Sequence, residues 1–90
     1  MSGHNKKDDP EKMEQMHRWL EAVRSELQLT DNPLEPVESD LLSLIGTVAH
    51  GPSRPGAPLT AFLAGYVCGK GADAQKIITQ LQELAKNQQD

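Results

Sequence analysis

Four residues near the middle of the chain have side chains that can bind an anion: His50, Arg54, Thr60 and Tyr66. Arg54 is the only formally charged residue between positions 41 and 69, and it follows His50 closely within a segment rich in proline and glycine. A guanidinium is a planar donor that fits a phosphate or a carboxylate, and a hydroxyl group can add a further hydrogen bond. These residue types predict an anion-binding corner built around Arg54.

The expected start of the helix after this segment supports the same interpretation. Pro58 suits the first position of a helix, and Ala57 before it is a poor N-cap. We therefore expect the backbone N–H groups of Leu59 and Thr60 to lack a side-chain acceptor. Because free N–H groups at a helix start attract anions, this helix start would act together with Arg54.

A structural interpretation of the same residues is also open. His50 stands at the end of a predicted helix, where its ring can bond the last carbonyl groups. Arg54 can be neutralised by Glu38, by Asp40 or by a carbonyl group at that helix end, which would lock the connection. Tyr66 can fill the core with its hydroxyl group hydrogen-bonded. The residues alone do not choose between anion binding and architecture.

The residue pattern gives no support to other chemistry. The three histidines and the single cysteine have no metal-ligand spacing, and no nucleophile occurs together with a base and an orienting group. We expect no metal site, no cofactor and no catalytic site, so the chain is not expected to be an independent enzyme. Trp19 is expected to anchor the core, and Cys68 to be a small buried apolar group.

Composition limits the location and the partners of the protein. Its 90 residues carry a net charge of −4 with no basic stripe, which argues against nucleic acid as a partner. One cysteine excludes an intrachain disulfide and fits a reducing cytoplasm. The N-terminus is too polar for a signal peptide, and the longest apolar-leaning run, residues 57–69, is too short to span a membrane. We expect a soluble cytoplasmic protein with no membrane partner.

Apolar residues recur at helical spacing in four segments of the chain, and no strand pattern competes with them. The first helix is expected to start near Asp9 and to end at the turn residues 30–33. The second is expected to start at Pro36 or Ser39 and to end at His50, because Pro52 disfavours a helical conformation at the residue before it, Gly51.

Glycine and proline shape the remaining segments. Gly46, inside the second helix, is interpreted as a point of close packing. The order of proline and glycine in residues 54–57 predicts a type II turn, after which the third helix starts at Pro58. That helix carries large apolar residues on one side and small residues on the other, and Asp73 is expected to cap a fourth helix. The large residues are Leu59, Phe62, Leu63, Tyr66 and Val67, and the small ones are Ala57, Ala61, Ala64, Gly65, Cys68 and Gly69.

These segments predict an all-α fold, namely a compact four-helix bundle with a disordered N-terminal tail. The expected boundaries are residues 1–9 for the tail and 10–87 for a single helical domain. A folded body of this size buries only about 60% of its extended surface, so binding to a partner could contribute to its stability.

The central motif resembles that of a small bacterial family of domains of unknown function, over residues 19–84. Members of that family occur alone, or fused C-terminally to nucleotidyltransferases similar to molybdenum-cofactor guanylyltransferases. Pro52-Ser53 and Gly56 stand where the family usually has small aliphatic residues, which should make this connection stiffer. The segments that carry the resemblance include Val48-Ala49-His50-Gly51, Arg54-Pro55, Ala57-Pro58-Leu59-Thr60, Phe62-Leu63 and Gly65-Tyr66.

The resemblance implies a role next to molybdenum cofactor biosynthesis. We expect a non-catalytic accessory or regulatory domain associated with the synthesis of molybdopterin-guanine dinucleotide. It would bind an anionic ligand, or the nucleotidyltransferase itself, at the corner formed by His50, Arg54 and Thr60. The alternative is a purely structural helical module for protein–protein interaction, including self-association, with no ligand.

Overall fold

The computed structural model describes residues 10–88, which contain four α-helices. They are α1 (Pro10–Glu26), α2 (Glu38–His50), α3 (Gly56–Gly69) and α4 (Ala74–Asn87). No strand occurs in this part of the chain, so the prediction of an all-α fold with four helices is confirmed. The predicted tail, residues 1–9, lies outside the described residues, and the domain boundaries stay a prediction. None of the described helices is both long and apolar enough to cross a membrane.

The chain divides into two units, residues 1–32 and residues 33–90. In the first unit, α1 ends at Glu26. The sequence predicted a later end, at the turn of residues 30–33. The reason is Gln28, which adopts a left-handed conformation with φ of 59°. The N–H groups of Gln28 and Leu29 donate to the carbonyls of Ser25 and Arg24, the pattern of a Schellman motif.

Two side chains of α1 differ from the expectation. Trp19 is 66% exposed, so its assignment as a core anchor is wrong. Arg24, for which the sequence predicted no contact, donates to both carboxylate oxygens of Glu21, at 2.9 and 3.0 Å. It also donates to the carbonyl groups of Leu29 and Asp31, at 3.3 and 3.0 Å. The Arg24 side chain therefore supports the backbone that follows α1.

In the second unit, α2, α3 and α4 pack on one another around a small core. Leu44 of α2 is fully buried at its centre. Its position follows from the helical spacing of the apolar residues of α2, which places Val48 one turn further on the same face. The other buried members of this core are Val48, Ala57, Ile78 and Ala85, with Val37, Leu41, Ile45, Ala49 and Leu81 partly buried around them.

The packed side of α3 is formed by alanines. Ala57 and Ala64 are buried, whereas the large apolar residues on the other side of the helix are exposed. The interpretation of Tyr66 as a core residue is therefore wrong. Gly46 is not a point of close packing either, because a Cβ atom added there would meet no atom within 4 Å. Cys68, expected to be buried, is partly buried.

The end of α3 and the start of α4 are each fixed by local hydrogen bonds. Gly71, with φ of 111°, ends α3 in a Schellman motif in which the N–H of Ala72 donates to the carbonyl of Val67. Asp73 caps α4, because its side chain accepts a hydrogen bond of 3.2 Å from the N–H of Lys76. The connection between the two helices is thus fixed on both sides.

We expect Leu44→Ala to lower the free energy of unfolding by about 2–5 kcal/mol, because it removes a large, fully buried side chain and leaves a cavity. Leu42→Ala is the matched control, since Leu42 is on the same helix but 38% exposed. Urea denaturation followed by circular dichroism measures both variants. Equal losses of stability in the two would contradict the position of the core.

We expect Gly46→Ala to raise the free energy of unfolding by about 1 kcal/mol. Alanine has the higher helix propensity, and its methyl group would enter open space. The same denaturation experiment measures the change. A destabilised variant would mean that Gly46 is needed for close packing after all.

Candidate functional site

The connection between α2 and α3, residues 51–55, is called the elbow below. It begins where the carbonyl of Val48 accepts from two N–H groups, that of Gly51 at 3.2 Å and that of Ser53 at 3.0 Å. The chain therefore folds back on the last turn of α2 immediately after the helix ends. Ser53 is partly buried there, whereas Pro52 and Arg54 on either side of it are exposed.

The elbow does not contain the type II turn that its sequence predicts. Such a turn needs ψ near 120° at Pro55 and a positive φ at Gly56. Pro55 has φ of −69° and ψ of −14°, which is a helical conformation, and Gly56 has no positive φ. As a result, α3 begins at Gly56, two residues before the predicted start at Pro58.

Ser53 explains the earlier start. Its side-chain oxygen accepts a hydrogen bond of 3.1 Å from the N–H of Gly56, in the manner of a helix cap. A Cβ atom at Gly56 would lie 3.0 Å from that oxygen, so the close approach of serine to this helix start suits a glycine. The sequence-based prediction gave Ser53 no capping role, although serine is among the residues preferred at helix N-caps.

The N–H groups at the start of α3 already have partners. The N–H of Ala57 donates to the carbonyl of Arg54 at 3.2 Å, and Pro58 has no N–H group. In helical register the N–H groups of Leu59 and Thr60 face carbonyls one turn earlier. These two groups thus have no side-chain acceptor at the helix start, as expected, but as residues of α3 they face backbone carbonyl groups and are not free for an anion.

The four predicted anion-binding residues differ in their surroundings. His50 and Arg54 are exposed, and the side chain of neither forms a hydrogen bond or an ion pair within the described residues, so the Arg54 guanidinium is not neutralised by Glu38 or Asp40. The hydroxyl of Thr60 donates to the carbonyl of Gly56 at 2.8 Å. Their role as an anion site stays a prediction.

Tyr66 is separated from Thr60 along α3. Tyr66 follows Thr60 by six residues, which places the two about 9 Å apart along the helix axis and on different sides of it. The Tyr66 ring is exposed, and the ammonium group of Lys70 lies 5.2 Å from its centre. This distance is within the range of a cation–π interaction.

An apolar depression in the second unit lies at the junction of α2, α3 and α4, and we call it the apolar cleft. Its volume is about 340 Å³. Among the four predicted site residues only Thr60 lines it. Its other walls include Val48, Leu63, Leu81, Leu84 and Ala85. Leu84 is 54% exposed at the edge of this cleft.

Beside the cleft, α3 presents a row of large apolar side chains that we call the α3 stripe: Leu59, Phe62, Leu63 and Tyr66. They are 57–72% exposed. Their spacing of three and four residues places them on one helix face over about 10 Å. Leu63 belongs to both the stripe and the cleft, so the two features are continuous.

A second, polar depression of about 260 Å³ lies between α2 and α4 and is called the polar groove. Asp40, Glu83 and Lys86 line it. The Gln82 side chain lines this groove, and its amide N–H donates to the Thr47 hydroxyl at 3.0 Å. Its side-chain oxygen Oε1 is buried and has no hydrogen-bond partner. No cluster of three or more metal-binding side chains occurs anywhere in residues 10–88.

A family model described as a domain of unknown function (DUF6457) matches residues 11–90. No curated protein and no solved structure matches the chain.

We expect Ser53→Ala to lower the free energy of unfolding by about 1 kcal/mol, because it removes the acceptor for the Gly56 N–H group. Arg54→Ala, at the next residue, should change it by less than about 0.5 kcal/mol because the guanidinium is exposed and unpaired. Thermal and urea denaturation of both variants provide the test. A marked loss of stability in Arg54→Ala would favour the structural interpretation of this arginine.

Proposed function

The chain belongs to the family described as a domain of unknown function (DUF6457), and we propose that it is a non-catalytic helical domain that binds a protein partner through the α3 stripe. We further propose that the partner is a nucleotidyltransferase of molybdenum cofactor biosynthesis in the cytoplasm. The domain would then act as an accessory or regulatory component of the nucleotidyl-transfer step. The two parts of the proposal rest on different grounds.

The exposure of the α3 stripe supports the first part. Phe62 and Leu59 are 72% and 66% exposed, although a helix of a small domain normally turns its large apolar residues inward. Burying a side chain of this size contributes about 1.5–3 kcal/mol, so a partner that covers the stripe gains substantial binding free energy. Contiguous exposed apolar surface of this kind is typical of protein interaction sites.

The apolar cleft adds a place for an anchoring side chain. Interface energetics are dominated by a few large residues that fill pockets near the centre of the contact. The cleft opens directly beside Leu63 of the stripe, and Leu84 of α4 forms part of its edge. A partner lying along α3 would therefore cover the stripe and fill the cleft in one contact.

The resemblance described above supports the second part of the proposal. In the fused proteins, a domain with this motif and a molybdenum-cofactor guanylyltransferase-like enzyme share one polypeptide. A domain that occurs alone would reach the same enzyme by non-covalent docking. The α3 stripe is the surface of the second unit that best suits such a contact.

We prefer protein binding to an anionic small ligand at His50, Arg54, Thr60 and Tyr66. The Thr60 hydroxyl and the first N–H groups of α3 are already hydrogen-bonded, which leaves the Arg54 guanidinium as the main donor. One exposed guanidinium does not enclose a ligand. Titration with GTP should accordingly leave the amide signals of residues 50–66 unchanged, and saturable shifts there would establish the small-ligand alternative.

We expect Phe62→Asp to weaken binding to a purified molybdenum-cofactor guanylyltransferase by at least about tenfold, since a charge would replace a large side chain in a desolvated contact. Gln75→Asp is the matched control, because it adds the same charge at an exposed position lining the polar groove. Isothermal titration calorimetry gives the affinities, and circular dichroism checks that both variants fold.

The outcomes of this experiment separate the two parts of the proposal. If the wild-type protein does not bind the transferase, the named partner is wrong. If it binds and Phe62→Asp binds equally well, the contact lies elsewhere and the role of the α3 stripe is wrong.

A further inference from the structure

The distribution of charge around the α3 stripe indicates the chemistry of the segment that covers it. Residues 41–72 contain two cations, Arg54 and Lys70, and no acidic residue, although the whole chain has a net charge of −4. Lys70 follows Tyr66 by four residues and so continues the stripe at its C-terminal end. Arg54 lies in the elbow, before the N-terminal end of the stripe. The exposed apolar surface is thus bracketed by positive charge.

Both cations are available to a partner. Each is exposed, and neither forms an ion pair within the described chain. The Lys70 ammonium group lies over the Tyr66 ring, which holds it at the end of the stripe without neutralising it. Among residues 33–88, no carboxylate pairs with either cation, and Asp73, the carboxylate nearest to Lys70 in the sequence, caps α4 instead.

The acidic residue of α4 lies away from the apolar cleft. Within α4 the one acidic residue is Glu83, and it lines the polar groove beside α2. The α4 residues that line the apolar cleft, among them Leu81 and Leu84, are uncharged. The positive character of the α3 surface is accordingly not cancelled by α4.

We infer that the segment bound on the α3 stripe is an amphipathic helix whose apolar face is flanked by carboxylates that pair with Arg54 and Lys70, with one large apolar side chain in the apolar cleft. This inference rests on the proposed function and names the chemistry of the partner. Complementary charge of this kind speeds association and excludes partners of the wrong sign.

A second copy of the same surface fits this chemistry poorly. Two α3 stripes placed face to face would bring Arg54 and Lys70 of both copies together, with no acidic residue in residues 41–72 to offset them. Like charges placed close together at an interface oppose association. An acidic partner helix meets no such opposition.

The test uses three synthetic helical peptides of about 18 residues, which share one leucine stripe with a central tryptophan and differ only in their flanking residues. The flanks are glutamate, glutamine or lysine. We expect the glutamate peptide to bind about fivefold more tightly than the glutamine peptide, and the lysine peptide to bind more weakly than both. Salt at about 1 M should remove the difference, because it screens exposed charges.

Charge variants of the protein assign the effect to the two cations. In Arg54→Gln/Lys70→Gln, the glutamate and glutamine peptides should bind equally. Lys76→Gln/Lys86→Gln is the control, since it removes the same net charge from exposed positions of α4 and should keep the preference. Replacing the peptide tryptophan by alanine should weaken binding about tenfold and abolish methyl shifts at Leu81 and Leu84, which line the cleft.

Each contrary result has a distinct meaning. Equal affinity for the glutamate and lysine peptides, with binding still lost in Phe62→Asp, overturns the acidic partner and leaves the docking surface intact. If Phe62→Asp binds the peptides as tightly as the wild-type protein does, docking on the stripe is overturned. The same conclusion follows if no peptide binds. A dimer in sedimentation velocity that Phe62→Asp dissociates would identify a second copy as the occupant and overturn the inference.

Discussion

The close approach of α3 to α2 and α4 depends on alanine at the buried positions of α3. Ala57 and Ala64 face the interior, and Ala85 of α4 is buried in the same unit. Small side chains let helices pack at short distances, so that the large residues Leu44 and Ile78 can fill the space between them. The same arrangement directs the large apolar residues of α3 outward. The exposed stripe is thus a direct consequence of how the core is packed.

The elbow contributes by fixing where α3 begins. Ser53 joins the last turn of α2 to the first turn of α3, because its N–H donates to Val48 and its hydroxyl oxygen accepts from Gly56. Starting the helix at Gly56 places Ala57 in the core and leaves Arg54 exposed just outside the helix. The one cation of the elbow is therefore held at a defined end of the apolar surface.

The function that we propose depends on an exposed apolar surface and on the two cations beside it. The α3 stripe and the apolar cleft provide area that a partner can desolvate, while Arg54 and Lys70 restrict which partners can approach. Since few residues hold the small core of the second unit together, a bound partner would also stabilise the fold, because ligands that bind only the folded state shift the unfolding equilibrium. Binding and stability would be linked in this domain.

The sequence by itself determined the number of helices and several of their ends. Asp73 and Gly71 act through hydrogen bonds to residues within one turn, so their roles follow from local chemistry. The tertiary structure decided which side of α3 is buried, because both sides are apolar and periodicity alone does not distinguish them. It also decided the helical start at Gly56, which depends on the Ser53 hydroxyl held in place by the end of α2. Local sequence thus specifies helices and caps, whereas the exposed surface arises only when the helices pack.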